Sequence, residues 1–236
     1  MTENQITRRL LKPAVFIAAL VPAAILGYLT WGAYNGNPSA WPGLTGNLSA
    51  NPLEDITHRT GDWALRFLCI TLAITPLRRL TAWNGAIRFR RMMGLFAFFY
   101  ATLHFLTWAI LDRYISLDFP AGPWAWSAVR IFAASVVDDV YKRTFITIGF
   151  AAFVAMWPLA LTSTAGMIRR LGGRRWRRLH RLIYFSAVAV PIHYLLSVKA
   201  DYRNPATYGL IVAILLGLRL YWARRKTLPA TAQTPA

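Results

Sequence analysis

Cysteine is almost absent from this sequence: Cys69 is the only one, and it lies inside an apolar stretch. That excludes an intrachain disulfide, a thiolate metal site and a CxxC redox pair, so any redox chemistry requires a cofactor. Charge is scarce as well. Of 236 residues only 15% are charged while 56% are hydrophobic, a balance too apolar for an ordinary water-exposed surface. Acidic residues are the scarcest of the charged types, with 9 Asp and Glu against 27 Lys and Arg, giving a formal net charge of +18. Such a charge could serve nucleic acid, but the basic residues fall in short runs between apolar stretches instead of along one solvated face. That is the pattern of loops resting on an anionic membrane surface, so membrane lipid is the expected partner and nucleic acid is not. The chain shows neither an internal repeat nor a separate soluble domain, and 1–236 reads as one transmembrane domain.

What is present is a series of long apolar runs. A span needs roughly 20 apolar residues at about 1.5 Å each to cross some 30 Å of hydrocarbon. Six stretches qualify, at about 13–34, 61–77, 92–111, 144–161, 178–198 and 206–222. Punctuation such as Asn35-Gly36-Asn37-Pro38 and Asn51-Pro52 separates them. The expected fold class is therefore an all-α integral membrane protein, a six-transmembrane helix bundle.

Lys and Arg fix the expected orientation. They collect at the N-terminus (Arg8, Arg9, Lys12), in the second loop (Arg78, Arg79, Arg88, Arg90, Arg91), in the fourth loop (Arg169, Arg170, Arg174, Arg175, Arg177, Arg178) and in the tail (Arg224, Arg225, Lys226). These belong in the cytoplasm. The first, third and fifth loops are poor in basic residues or offset them with Asp112, Asp118, Asp138, Asp139 and Asp201, and belong outside. Both termini are then cytoplasmic. Residues 7–12 also resemble the start of a twin-arginine export signal, but a basic region before a first span is expected from charge bias alone, and cleavage would leave an odd number of spans. The apolar stretch 124–137 in the third loop is too short for a seventh span and reads as an interfacial segment anchored by Trp124 and Trp126.

Three of the four histidines fall on two predicted spans. His104 lies thirteen residues past Arg91, and His193 fifteen past Arg178, so both sit roughly 20 Å from the cytoplasmic end. Histidine at that depth requires a partner within the bundle. A hydrogen bond across a helix interface would serve each one singly. Two neutral imidazoles at equal depth on facing helices would instead clamp one heme iron between them. Small residues precede both: Gly94, Ala97 and Ala101 before His104, and Ser186 and Ala189 before His193, at helical spacing. Such stripes offer low walls for a flat macrocycle, and they also serve plain helix packing.

His180 opens the fifth span on the cytoplasmic side, where a second heme could sit. Thirteen residues separate it from His193, which leaves the two side chains some 140° apart on an ideal helix unless Pro191 kinks or rewinds it. The third span has no histidine at this depth. Arg90, fourteen residues before His104, is aligned with it to within about 40° and is the best-placed partner for an inner site. His58, in an external loop, is set aside. Arg66 is expected to snorkel to the outer interface, with a heme propionate as the sharper alternative.

Other function classes compete with heme. A transporter with a histidine relay would need membrane-embedded carboxylates, and Asp and Glu are absent from the predicted span interiors. An independent metalloreductase would need its own flavin and nicotinamide domain, which this chain does not carry.

The residues also resemble a known family. Asn51-Pro-Leu-Glu-Asp-Ile-Thr-His-Arg-Thr-Gly61, Ile74-Thr-Pro-Leu77, Ile87-Arg-Phe-Arg-Arg-Met-Met-Gly94, Ala101-Thr-Leu-His104, Leu161-Thr-Ser-Thr164, Leu179-His180, Pro191-Ile-His-Tyr194 and Ser197-Val-Lys199 are similar to those of the MsrQ (YedZ) family, heme-binding membrane subunits of the periplasmic methionine sulfoxide reductase system. The wider resemblance is to the ferric reductase-like transmembrane superfamily, whose ligand spacings match 90/104 and 180/193. The resemblance implies a bacterial inner-membrane subunit with b-type heme and no catalytic machinery of its own. It would pass electrons from a cytoplasmic flavin reductase or the quinone pool to a periplasmic molybdopterin enzyme that repairs oxidised methionine in envelope proteins. By position, His104 and His193 would ligate an outer heme, and His180 with Arg90 would form an inner site in which Arg90 stands where the superfamily has a histidine. Flavin mononucleotide (FMN) is associated with the family, and no residue here is assigned to it.

Overall fold

The computed structural model describes residues 3–35, 48, 51–118, 122 and 126–227, and those residues contain helices and no strand. A short helix α1 (Glu3–Ile6) and a π-helical turn (Thr7–Leu11) run directly into α2 (Lys12–Tyr34). Then come α3 (Pro52–Thr81), α4 (Arg90–Leu106) with a π-helical extension Thr107–Tyr114, α5 (Trp126–Lys142), α6 (Thr144–Leu161), α7 (Ala165–Leu179), α8 (Leu182–Ser197) and α9 (Arg203–Thr227).

Local chemistry sets the ends of the longest helix. Asn51 caps α3 by accepting from the Glu54 backbone N–H at 3.4 Å, Pro52 takes the first helical position, and Glu54 and Asp55 face the positive end of the helix dipole. Arg78 and Arg79 complement the opposite end, and Ala82 stops the helix in a left-handed conformation (φ 56°). Pro22, Pro76, Pro158 and Pro191 all lie inside helices, which membrane bundles tolerate when neighbouring groups satisfy the freed carbonyls.

Helix α3 packs along α4, and α6 along α8. The two pairs meet through α4 and α6, while α9 closes the bundle against α3 and α8. Leu65, Leu68 and Leu72 of α3, Met93, Phe96 and Tyr100 of α4, Met156 of α6 and Ala187 of α8 form one continuous core. Tyr100, fully buried, also secures α2. Its hydroxyl donates to the Ala19 carbonyl (2.7 Å) and accepts from the Ala23 N–H (3.0 Å), inserting into the α2 hydrogen-bond ladder beside Pro22.

Among the described residues, four helical stretches are long and apolar enough to cross a membrane: Arg9–Gly32, Arg90–Tyr114, Thr144–Leu161 and Arg203–Arg224. A fifth results if α7 and α8, bent by 41° at their junction, are counted together. These helices make the chain a multi-pass membrane protein. The expected second span is the difference from six. Helix α3 has 30 residues, but Asp62, Arg66 and Arg78 interrupt its apolar stretch, although Leu65, Leu68 and Leu72 place it at the centre of the core. The expected fourth span, 144–161, coincides with α6. The apolar stretch of the third loop is helix α5, 17 residues long and exposing Trp126, Val137 and Tyr141; Trp124 lies outside the described residues. On its inner side the buried Asp139 pairs with Arg113 and, at 3.4 Å, with Arg143. These ion pairs tie α5 to the π-helical extension and to the start of α6.

Candidate functional site

His104 and His193 come together, as the matched depths require. Their ring centroids are 6.1 Å apart with an interplanar angle of 75°. The Nδ1 of His104 lies 2.8 Å from the Thr57 carbonyl oxygen, and the Nδ1 of His193 2.6 Å from that of Phe145. A carbonyl can only accept, so each Nδ1 carries the proton and donates, and each Nε2 is left with its lone pair. Fixing the tautomer through Nδ1 is the usual support behind a metal-ligating histidine.

Both rings line one cavity of about 640 Å³. Its walls come from α3 (Thr57, Gly61, Ala64, Leu65), α4 (Ala101, Phe105), α6 (Gly149, Phe150, Phe153, Met156) and α8 (Val190, Tyr194). They are mostly apolar, while Glu54, His58, Asp62, Asp112 and Arg143 supply the charged and titratable part of the lining. His58, set aside on sequence grounds, therefore belongs to the lining, where it faces Glu54 at 3.7 Å. Asp62 does so too, so a carboxylate at the edge of the predicted second span reaches the site.

The residues fit a heme. A ligating imidazole nitrogen sits about 2 Å from its metal and the ring centroid about 1 Å farther, so two imidazoles on opposite sides of one iron have centroids about 6 Å apart. The observed 6.1 Å meets that requirement before any rearrangement. Among the described residues no group of three or more His, Cys, Asp or Glu side chains could hold a bare metal ion.

Two glycines that sequence reading did not single out make this placement possible. A Cβ on Gly149 would come within 2.6 Å of His193 Nδ1 and 2.8 Å of its Cε1, and one on Gly61 within 3.1 Å of the His104 ring. The signal in the sequence is a glycine inside an apolar span facing a histidine, on a different helix from the small-residue stripes that precede His104 and His193. Most of that pattern serves packing. Gly94 abuts Thr71, Ser186 donates to the Ala152 carbonyl at 3.0 Å, Ala97 and Ala189 are buried, and only Ala101 lines the cavity.

His180 is far less committed to a cavity. It terminates α7, stacks on Trp176 with ring centroids 3.8 Å apart, and contacts the Trp176 carbonyl through Nδ1 at 3.1 Å and the Ser163 hydroxyl through Nε2 at 3.5 Å. Arg90 opens α4 within electrostatic reach of His180. Neither lines the large cavity. The helix is broken at His180–Arg181 between α7 and α8, whereas Pro191 lies inside a continuous α8. Arg66 does not line the cavity either. Its Nε donates to the Tyr208 hydroxyl at 3.0 Å, Asp62 lies 3.7 Å from its Nη2, and its guanidinium rests over Trp63. The propionate alternative for Arg66 therefore lacks the necessary geometry.

Comparison with known proteins places the chain among relatives. Residues 60–191 match the model of the ferric reductase like transmembrane component family, more than half of the chain. The chain is 48% identical over 219 residues to the protein-methionine-sulfoxide reductase heme-binding subunit MsrQ of Herminiimonas arsenicoxydans, covering 92% of this chain and 87% of that one. The chain belongs to the MsrQ family. The MsrQ of Ralstonia nicotianae is also 48% identical over 219 residues (92% and 88% of the two chains), and that of Xanthomonas euvesicatoria 45% over 228 residues (95% and 94%). No solved structure matches the chain significantly. The ferric reductase match contains Arg90, His104 and His180 and stops two residues short of His193, whereas the MsrQ relatives match nearly the whole chain.

Proposed function

We propose that this MsrQ-family chain is a b-type heme electron-transfer subunit of a methionine sulfoxide reductase system, held in the bacterial inner membrane. In this reading it carries electrons from a cytoplasmic flavin reductase or the quinone pool to a periplasmic molybdopterin enzyme that reduces oxidised methionine. The observation that carries the proposal is the His104–His193 pair: rings 6.1 Å apart, with both Nδ1 atoms engaged by backbone carbonyls. His104 and His193 would hold the outer heme through Nε2. Thr57 and Phe145 would orient the two ligands, and the apolar wall from Phe105, Phe150 and Phe153 would exclude water. When bound, heme supplies a one-electron carrier inside the bilayer.

The donor side rests on His180, which would coordinate an inner cofactor, a second heme, with Arg90 contributing charge rather than ligation. A guanidinium stays protonated and offers only donors, so it is a poor iron ligand. For orientation we propose six spans with both termini cytoplasmic, α3 being carried across by its neighbours. The basic second and fourth loops then face the cytoplasm, and the cavity end faces the periplasm. The test is a spectrum. Purified full-length protein should show reduced b-type absorbance that appears when a flavin reductase or a reduced quinone is added, and disappears on addition of the oxidised periplasmic enzyme. A heme-free protein would leave a transporter or structural role instead.

A further inference from the structure

Near the end of the bundle opposite the histidine cavity, two arginines lack a counter-charge. Arg219 lies sixteen residues into α9 from Arg203, roughly 24 Å along its axis. Its Nη2 donates to the Leu72 carbonyl at 2.6 Å, its Nη1 donates to the Tyr184 hydroxyl at 3.2 Å, and its Nε is buried with no hydrogen-bond partner. The ionisable groups acting most on Arg90 are this same Arg219 and Tyr184. Among the described residues no ion pair joins a carboxylate to either arginine. Of the nine acidic residues, Glu54, Asp55 and Asp62 lie in the N-terminal half of α3, Asp112, Asp118, Asp138 and Asp139 lie in or around the π-helical extension and α5, and Asp201 precedes α9; the ninth, Glu3, is in α1. Two half-buried cations in mutual reach, with neutral partners only, repel one another and lack the compensation that buried charge requires. An anion from outside the chain would supply it. The arginine fork suits a phosphate, which can accept several of these N–H groups at once. Leu77, Leu80, Leu182 and Leu220, at the same ends of α3, α8 and α9, are exposed apolar side chains along which acyl chains could lie.

We propose that Arg90, Arg219 and Tyr184 form a binding site for the phosphate group of an anionic phospholipid of the cytoplasmic leaflet. The proposal rests on the orientation given above; Arg90 also belongs to the inner site proposed at His180, whereas Arg219 and Tyr184 do not, so Arg219 variants test the lipid site apart from heme. An unpaired cation pair destabilises the delipidated bundle, and the lipid headgroup relieves it, so the inner end is held closed only in an anionic membrane.

The test uses the delipidated full-length chain in neutral detergent, with dioleoylphosphatidylglycerol, dioleoylphosphatidylcholine, inorganic phosphate or FMN added at equal concentration. The melting temperature and the lipid retained in native mass spectrometry are read. Phosphatidylglycerol should raise the melting temperature and be retained one to one, phosphatidylcholine and the soluble phosphates should not, and Arg90→Gln/Arg219→Gln should weaken retention about tenfold or more. Without lipid the double variant loses the Arg90–Arg219 repulsion together with the Leu72 and Tyr184 hydrogen bonds of Arg219, so its melting temperature is recorded first and retention is compared where both proteins are folded. That comparison separates loss of the site from loss of the fold. Arg224→Gln, near the end of the same helix, serves as the control and should retain the lipid. Equal retention by parent and double variant overturns the proposal. Stabilisation by FMN or phosphate with phosphatidylglycerol inert assigns the site to a soluble ligand and overturns it. So does loss of heme absorbance from Arg219→Gln alone, which would make the missing anion a propionate; the double variant is not used for that readout because Arg90 also stands beside the inner cofactor.

Discussion

Replacing Gly149 by alanine should remove heme without touching a ligand. The added Cβ would stand 2.6 Å from His193 Nδ1, 2.8 Å from Cε1 and 3.0 Å from Cγ. These are the atoms of a ring already fixed by the bond to the Phe145 carbonyl, so either the imidazole rotates and loses that bond or α6 and α8 separate. Overpacking a close helix contact costs about 1–3 kcal/mol, and losing the orienting hydrogen bond about 0.5–1.5 kcal/mol more. Both penalties fall on the ligand-competent geometry, so heme affinity should drop by roughly 10- to 1000-fold at about 1.4 kcal/mol per decade. The assay is the heme-to-protein ratio of the purified variant together with its reduced-minus-oxidised difference spectrum. Gly61→Ala, whose Cβ would meet the His104 ring at 3.1 Å, should show a smaller loss. Gly94→Ala, with its nearest contact at 3.6 Å to Thr71 Cγ2, should show none. A Gly149→Ala protein that keeps its full heme complement, or a loss of equal size in Gly94→Ala, would refute the reasoning.

Reporter fusions after Lys226 and within 162–177 should read cytoplasmic, and those near 45 and 118 external; an external C-terminus would mean a miscounted span, with α5 the first suspect. His180→Ala should slow reduction by the cytoplasmic donor while leaving the outer heme reducible by dithionite, and Arg90→Lys should be milder than Arg90→Ala because it keeps the charge and loses only the fork; unchanged heme content and donor-driven reduction in His180→Ala would leave His180 a helix-end residue stacked on Trp176. Asp139→Ala should lower the melting temperature through the equivalent of about 1–3 kcal/mol, because Arg113 keeps only its 3.8 Å contact to Asp112 and the half-exposed Arg143 turns to solvent, measured by thermal denaturation in detergent, and an unchanged melting temperature would show that α5 is not held by these pairs.

The helices were legible because composition and hydropathy are strong signals in a membrane chain: α6 coincides with its expected bounds, and the depth match between His104 and His193 follows from residue counts at constant helical rise. The break at His180–Arg181 was not legible, because no proline or glycine marks it. Trp176, anchored to the Thr162 carbonyl at 3.0 Å and stacked on His180, fixes the chain there, and such a tertiary contact leaves no periodic trace. The orienting partners of the ligands escaped for a similar reason. They are backbone carbonyls at Thr57 and Phe145, to which side-chain identity gives no clue, and the glycines that admit the rings sit on the opposing helices. No motif sets Arg219 apart in the sequence, and only the packing of α9 against α3 and α8 sets it beside Tyr184 and the Leu72 carbonyl.

Joint ligation of one heme by His104 and His193 is tested by the low-temperature electron paramagnetic resonance spectrum of the oxidised protein beside those of His104→Ala and His193→Ala, with membrane insertion checked for each. The parent should give a low-spin, six-coordinate bis-imidazole signal that is lost in both variants while each still inserts. Persistence of that signal, at full heme content, in either variant would contradict joint ligation.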